Sequence, residues 1–350
     1  MIEAAALMSL ATSVPPHILH QKDVESQARA SFTHRYPEFE RLAPVFANTG
    51  VIKRHGVMPI DWYLEPRGWP ERTKVFLEGG EALFIDAARS AIERAGLTPD
   101  KIDTVVTVSS TGIATPSLEA RAAGKIGFRP DITRVPVFGL GCGAGVSGLS
   151  IASKLAQGSP GKNVLFIALE LCTLAFRLDV LSKTNVVAVS LFGDGAAAAV
   201  LRAGDGGTIQ IEGCGDHLWP DTLDIMGWNV DPEGFGVILR RSVPSFVLEN
   251  IKPTVSGILQ GMNLNLQDID RFVCHPGGTK VIAALETALS LDQGSLDCER
   301  QILAEYGNMS SPTVLFILER VLATQKPSRS LLTSLGPGFS ASCVALKHAA

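Results

Sequence analysis

The chain has 350 residues, 46% hydrophobic and 19% charged, with a formal net charge of -4. That composition fills a large core and excludes a disordered chain, and the absence of a long basic stretch excludes nucleic acid as an expected partner. No apolar run reaches the roughly 18 residues of a membrane span. The opening MIEAAALMSLATSVPPH carries no Lys or Arg before its apolar run, which argues against a signal peptide. Six scattered cysteines, with no C-x-x-C pair and no metal spacing, predict a reducing cytoplasmic setting, no metal and no resident cofactor.

In chain order, residues 81–96 show helical apolar spacing closed by Gly96, and the turn Leu97-Thr98-Pro99-Asp100 follows. The β-branched run after it predicts a buried strand over Thr104 to Val108. An apolar strand, Val135 to Phe138, then enters the glycine-rich turn Gly139-Leu140-Gly141-Cys142-Gly143-Ala144-Gly145 and a small-residue helix. NVLFIALE is the next strand, and LFGDGAAAAV occupies 191–200. In the second half, 246–261 is helical with Pro253 expected to kink or split it. A strand ends in CHPGG, a turn (EYGNMSS) leads to a strongly apolar helix, and a last strand leads into SLGPG at 334–338.

The two halves follow one plan. Ile102-Asp103 recurs as Ile269-Asp270, an offset of 167 (103 to 270), and each pair precedes a strand, a glycine-bearing loop and a helix. The same offset carries Cys142 to within one residue of Asn308, so both are expected at helix N-termini. This duplication predicts an α/β fold of two packed sheets with helices between and outside them, divided as 1–205 and 206–350.

Cys142 sits where a strand turns into a helix. The helix N-terminus favours thiolate over thiol, and its free N–H groups could stabilise an oxyanion. By itself such a cysteine also reads as a packing residue of a tight turn. His275 ends an apolar strand and opens a glycine loop in the opposite half, where a base for Cys142 would be needed; a lone histidine also reads as a satisfied core residue. Asn308 reads as a helix cap or as a side chain aimed into a shared cavity.

Taken together, VFGLGC, LFGDGAAAAV, CHPGG, YGNMSSPTVLFIL and SLGPG resemble the motifs of type III polyketide synthases, the chalcone synthase-like branch of the thiolase superfamily. The N-terminal third fits more loosely, through ATSVPPH and Ile52-Lys53-Arg54. The resemblance implies a thiolase-like five-layered αβαβα fold and a homodimer. It implies that Cys142 carries the acyl chain as a thioester, and that His275 keeps it ionised, giving a depressed thiol pKa. His275 and Asn308 would donate to malonyl-CoA as it loses CO2. It implies Phe192 as the gatekeeper, Cys172, Ala175, Trp228, Val237, Gly336, Pro337 and Gly338 as cavity residues, and Lys53, Arg54 and Ser310 as contacts to CoA. Several positions depart from the plant pattern: Cys172 and Ala175 stand where Thr is usual, Val237 where Phe is usual, and Trp228 replaces a small residue. With ELCTLAF and MGW, these are similar to bacterial alkylresorcinol- and alkylpyrone-forming relatives with fatty acyl-CoA starters. The competing readings are a ketoacyl-ACP synthase and a non-catalytic thiolase-fold partner protein.

Overall fold

The computed structural model describes residues 3–204 and 207–348. The expected boundary between 205 and 206 falls on residues outside those described. The first half runs β1 (Ala5–Ser13), β2 (His17–His20), α1 (Gln21–Phe32), α2 (Phe39–Leu42), α3 (Val45–Asn48), β3 (Lys53–Gly56), α4 (Trp69–Arg94) and β4 (Ile102–Val108). It continues through α5 (Leu118–Ile126), β5 (Thr133–Val137), α6 (Ala144–Gln157), β6 (Asn163–Leu171), α7 (Lys183–Leu191) and β7 (Asp194–Ala203). The second half contains β8 (Ile209–Leu218), β9 (Met226–Asp231), β10 (Gly234–Leu239), α8 (Val243–Gly261), β11 (Arg271–Cys274) and α9 (Thr279–Ala288). It ends with α10 (Asp297–Tyr306), α11 (Thr313–Thr324), β12 (Arg329–Gly336) and β13 (Ser340–His348).

The duplication is visible in hydrogen bonds. Each half has two parallel strands, β4 with β6 and β11 with β12, and then an antiparallel return, β7 or β13. Asp103 accepts from Asn163 N–H, and Asp270 accepts from Arg329 N–H, both at 2.9 Å. A short 3-10 turn precedes each aspartate, at Pro99–Lys101 and at Leu266–Asp268. The strand order is β11-β12-β13-β8-β1-β7-β6-β4-β5. Among the described strands, the sheets of the two halves are joined by one ladder pair, Ala6 of β1 with Gln210 of β8. Between them lie α6 and α11, packed in one apolar cluster with strands of both halves. α4 and α5 cover the outer face of the first sheet, and α8 and α9 that of the second. This is the thiolase-like α/β fold in five layers. A strand covered on both faces must be apolar throughout, and β6 is buried at every position.

Two local expectations change. α4 begins at Trp69, twelve residues before the expected start, and runs through Gly79-Gly80. An added Cβ on Gly79 would lie 2.2 Å from Val57 Cγ2, so close packing requires glycine there. α8 is continuous through Pro253. The carbonyl that Pro253 leaves without an N–H partner belongs to Glu249, on the exposed side, where water can satisfy it.

Candidate active site

Cys142 occupies a 3-10 turn, Gly141–Gly143, that leads directly into α6. The turn rests on the loop after β12. An added Cβ on Gly336 would lie 2.8 Å from Leu140 O and 3.0 Å from Gly143 N, so backbone meets backbone there with no room for a side chain. Ser334 Oγ also donates to Gly143 O at 3.1 Å. Gly336 therefore supports the nucleophile turn from behind and does not line the cavity. Gly338 also stands off the cavity wall, at φ +75°, while Pro337 lines it.

His275 follows β11, and its N–H donates to Thr333 O at 2.8 Å. The side chain is buried in the cavity wall, and neither ring nitrogen has a hydrogen-bond partner among the described residues. Burial pushes its pKa down to about 4, so the imidazole is neutral. Asn308 enters by a different route from the one expected. α11 starts only at Thr313, so Asn308 is not a helix cap; its N–H donates to Leu191 O and its carbonyl accepts from Gly193 N–H. Asn308 Oδ1 accepts from Ser310 N–H at 2.8 Å, which leaves Nδ2 as the donor the side chain can offer.

Cys142, His275 and Asn308 line one cavity of about 480 Å³, together with Phe192, Cys172, Trp228, Val237, Pro337 and Ser310. Ala175, expected to line the cavity, is buried and does not line it. Trp228 is held fast: its Nε1 donates to Ser110 O at 2.8 Å, and its ring stacks on Phe235 at 5.6 Å. Phe235 in turn meets Trp69 edge-on. The hairpin β9–β10 is thus a pinned wall contributing Met226, Trp228, Val237 and Leu239.

The electrostatics differ from the expected thiolate–imidazolium pair. Burial pushes the Cys142 thiol up to about 11, against the opposing hydrogen bond from Ser310 Oγ, and the nearby Glu170 raises it further. Glu170 is itself pushed up to about 7 by burial, although Ser110 N–H, Thr111 Oγ1 and Ser311 Oγ all donate to its carboxylate. Burial thus favours a thiol beside a neutral imidazole, the form able to accept the thiol proton.

The cation expectation is also corrected. Arg54 is fully buried and donates to the carbonyls of Val189, Ser190 and Phe192, so it braces the segment carrying Phe192 and cannot reach a ligand phosphate. Lys53 pairs with His20 across the two-stranded β2–β3 sheet and does not line the cavity. The cations at the cavity are instead Arg41, Lys183, Arg240, Arg241 and Lys280. Arg41 pairs with Glu38 and Arg240 with Asp224, while Lys183, Arg241 and Lys280 make no ion pair among the described residues. Lys183 has its pKa lowered, first by desolvation and then by repulsion from Arg241, Arg41 and Lys280. Such a cluster is suited to a polyanion. Its members come from four separated segments, so no local sequence pattern marks it.

Comparisons with known proteins follow the same outline. Residues 2–205 match the family model for chalcone and stilbene synthases, N-terminal domain, and residues 210–348 match the C-terminal domain of the same family. The 1,3,6,8-tetrahydroxynaphthalene synthase of Streptomyces peucetius subsp. caesius is 37% identical, over 96% of this chain and 91% of its own length. An alpha-pyrone synthesis polyketide synthase-like protein of Mycobacterium tuberculosis is 27% identical, over 96% and 89%. Among solved structures, the 1,3,6,8-tetrahydroxynaphthalene synthase of Streptomyces coelicolor A3(2), a bacterial type III polyketide synthase, superposes with a TM-score of 0.93 at 30% identity, covering 99% of each chain.

Proposed function

Because this chain belongs to the chalcone and stilbene synthase family, and so is a type III polyketide synthase and an acyl-condensing transferase, we propose that it extends a fatty acyl-CoA starter with malonyl-CoA on Cys142. The observation that carries this reading is the convergence of Cys142, His275 and Asn308 on one cavity edged by unpaired cations. In loading, Cys142 Sγ attacks the starter carbonyl, its proton passes to neutral His275, and CoA leaves as the thiol. Malonyl-CoA then loses CO2. The electron pair develops on the thioester oxygen as an enolate, toward which Asn308 Nδ2 and a ring N–H of His275 donate. The enolate carbon attacks the Cys142 thioester, which forms the carbon–carbon bond and frees the sulfur. Lys183, Arg241 and Lys280 would hold the phosphates of CoA. The reaction uses CoA thioesters and no resident cofactor.

The fatty acyl preference rests on the apolar wall. Val237 and Cys172 leave room where bulkier or more polar side chains would stand, and each buried CH2 contributes about 0.8 kcal/mol. Four extra methylenes would give roughly a hundredfold selectivity. Cyclisation would yield an alkylpyrone or alkylresorcinol. A second reading is favoured by the pinned, bulky Trp228 on the cavity wall: a product without an alkyl tail, as in the naphthalene-forming relatives. Mass spectrometry of products from malonyl-CoA, without carrier protein, separates the two. Acetyl-, hexanoyl-, dodecanoyl-, octadecanoyl- and coumaroyl-CoA would be tried as starters. Tailed products favouring the longer chains support the first reading. A naphthalene-type product from malonyl-CoA alone supports the second, and a preference for coumaroyl-CoA would sink both.

We propose further that the halves 1–205 and 206–350 act together in a cytoplasmic homodimer. The free edge of β5 and the exposed Phe138 and Ile113 near it support the dimer, and six free cysteines suit a reducing compartment. A stable monomer in sedimentation at micromolar concentration would contradict it.

A further inference from the structure

Two of the three proposed catalytic groups share one neighbour, Ser310, for which contact with CoA was the expected role. Ser310 is buried two residues beyond Asn308. Its N–H donates to Asn308 Oδ1 at 2.8 Å, and its hydroxyl donates to Cys142 Sγ at 3.2 Å. Both bonds issue from a backbone at φ +60°, a left-handed conformation that side chains other than glycine seldom adopt. The conformation is clamped on both sides. Met309 N–H donates to Thr313 Oγ1 before it, and Ser311 Oγ donates to Glu170 after it.

A hydroxyl donating to sulfur favours the charged form of that sulfur. Here it is the largest influence working against burial. His275 does not share the task, because its ring nitrogens have no hydrogen-bond partner among the described residues. The amide of the same residue fixes which end of the Asn308 side chain is left to donate.

We propose that Ser310 is a positioning residue of the condensation: its hydroxyl orients Cys142 Sγ and stabilises charge on it, while its amide locks Asn308 with Nδ2 as the free donor. A nucleophile from one half and a donor from the other are thereby set by one residue. The proposal rests on Cys142 being the nucleophile.

The experiment compares wild type with Ser310→Ala and Ser310→Gly in the full chain. Alkylation of Cys142 by iodoacetamide at about pH 8 is followed by peptide mass spectrometry, and acyl loading from dodecanoyl-CoA by intact mass. Below its titration point a thiol loses tenfold in thiolate per unit of pKa, and a hydrogen bond to a charged group corresponds to about one to two units. Both rates are therefore expected to fall roughly tenfold to a hundredfold in both variants. Glycine relieves the left-handed backbone and alanine does not, so equal losses assign the effect to the hydroxyl; wild-type rates in Ser310→Gly would overturn the proposal. Loading is also expected to fall at least about tenfold more than malonyl-CoA decarboxylation, since the amide bond to Asn308 survives both substitutions. Equal falls in the two activities would likewise overturn it. Should the wild type form no acyl adduct on Cys142, the nucleophile reading fails whatever the Ser310 variants do.

Discussion

The two halves of the chain share a scaffold and differ in what they present. Asp103 and Asp270 tie equivalent strands in the same way, and α6 and α11 fill the same central layer. The strand ends diverge. In the first half the chain turns tightly through Cys142 into α6, with Ala144 as the first helical residue. In the second, Asn308 lies five residues before α11, in a loop that bonds to Leu191 and Gly193 of the other half. β4 ends in Val108 where the equivalent β11 leads into His275. Duplication accounts for the frame, and chemistry has collected in the short segments where the copies no longer match.

This contrast can be broken by substitution. Cys142→Ala is expected to abolish the acyl adduct and all product, a loss of at least about a thousandfold, because the covalent route is gone. Product analysis with an unchanged thermal melt checks this, and continued synthesis would remove the nucleophile from the first half. Asn308→Ala in the second half is expected to slow malonyl-CoA decarboxylation about a hundredfold to a thousandfold while acyl loading stays within about tenfold. An equal fall in both steps would erase the division of labour.

Smaller effects sharpen the contrast. Lys183→Glu from the first half and Arg241→Glu from the second should each raise KM for CoA substrates about tenfold with little change in kcat, more strongly at low salt. A response from only one of them would confine the anion site to one half. The Cys142 thiol, raised by burial to about 11, should show alkylation that still climbs past the free-thiol value of about 8.5. A plateau below pH 8 would restore the thiolate–imidazolium pair. The smallest effect tests the scaffold itself. Asp103→Ala and Asp270→Ala should each lower Tm by a few degrees, about 1–2 kcal/mol. The first should cost slightly more, because Arg129 and Lys162 also pair with Asp103.

Much of this frame was legible before any coordinates. Strand periodicity, the 167-residue echo and the glycine-flanked positions of Cys142 and His275 are local signals, and catalytic side chains tend to stand at strand ends. What failed was nonlocal. The resemblance places Lys53 and Arg54 at CoA, yet pairing of β3 with β2 and packing against α7 bury Arg54 completely. Helical apolar spacing marks the segment only from residue 81, yet α4 begins at Trp69, and Val57 fills the space beside Gly79. A lowered thiol pKa is expected from the helix N-terminus and from His275, whereas burial, which no local pattern reveals, pushes it up.

The contact between Gly336 and Gly143 carries a consequence for how such a protein can diversify. Where two backbones touch, selection has only a hydrogen atom to offer, so the geometry behind the nucleophile is closed to heritable change. The β9–β10 hairpin is a separate two-stranded sheet fastened by side chains such as Trp228 and Trp69. Its inward positions, Trp228 and Val237 among them, can be exchanged one at a time without moving that closed region. New products can then arise by drift in the wall while the reaction itself is inherited intact.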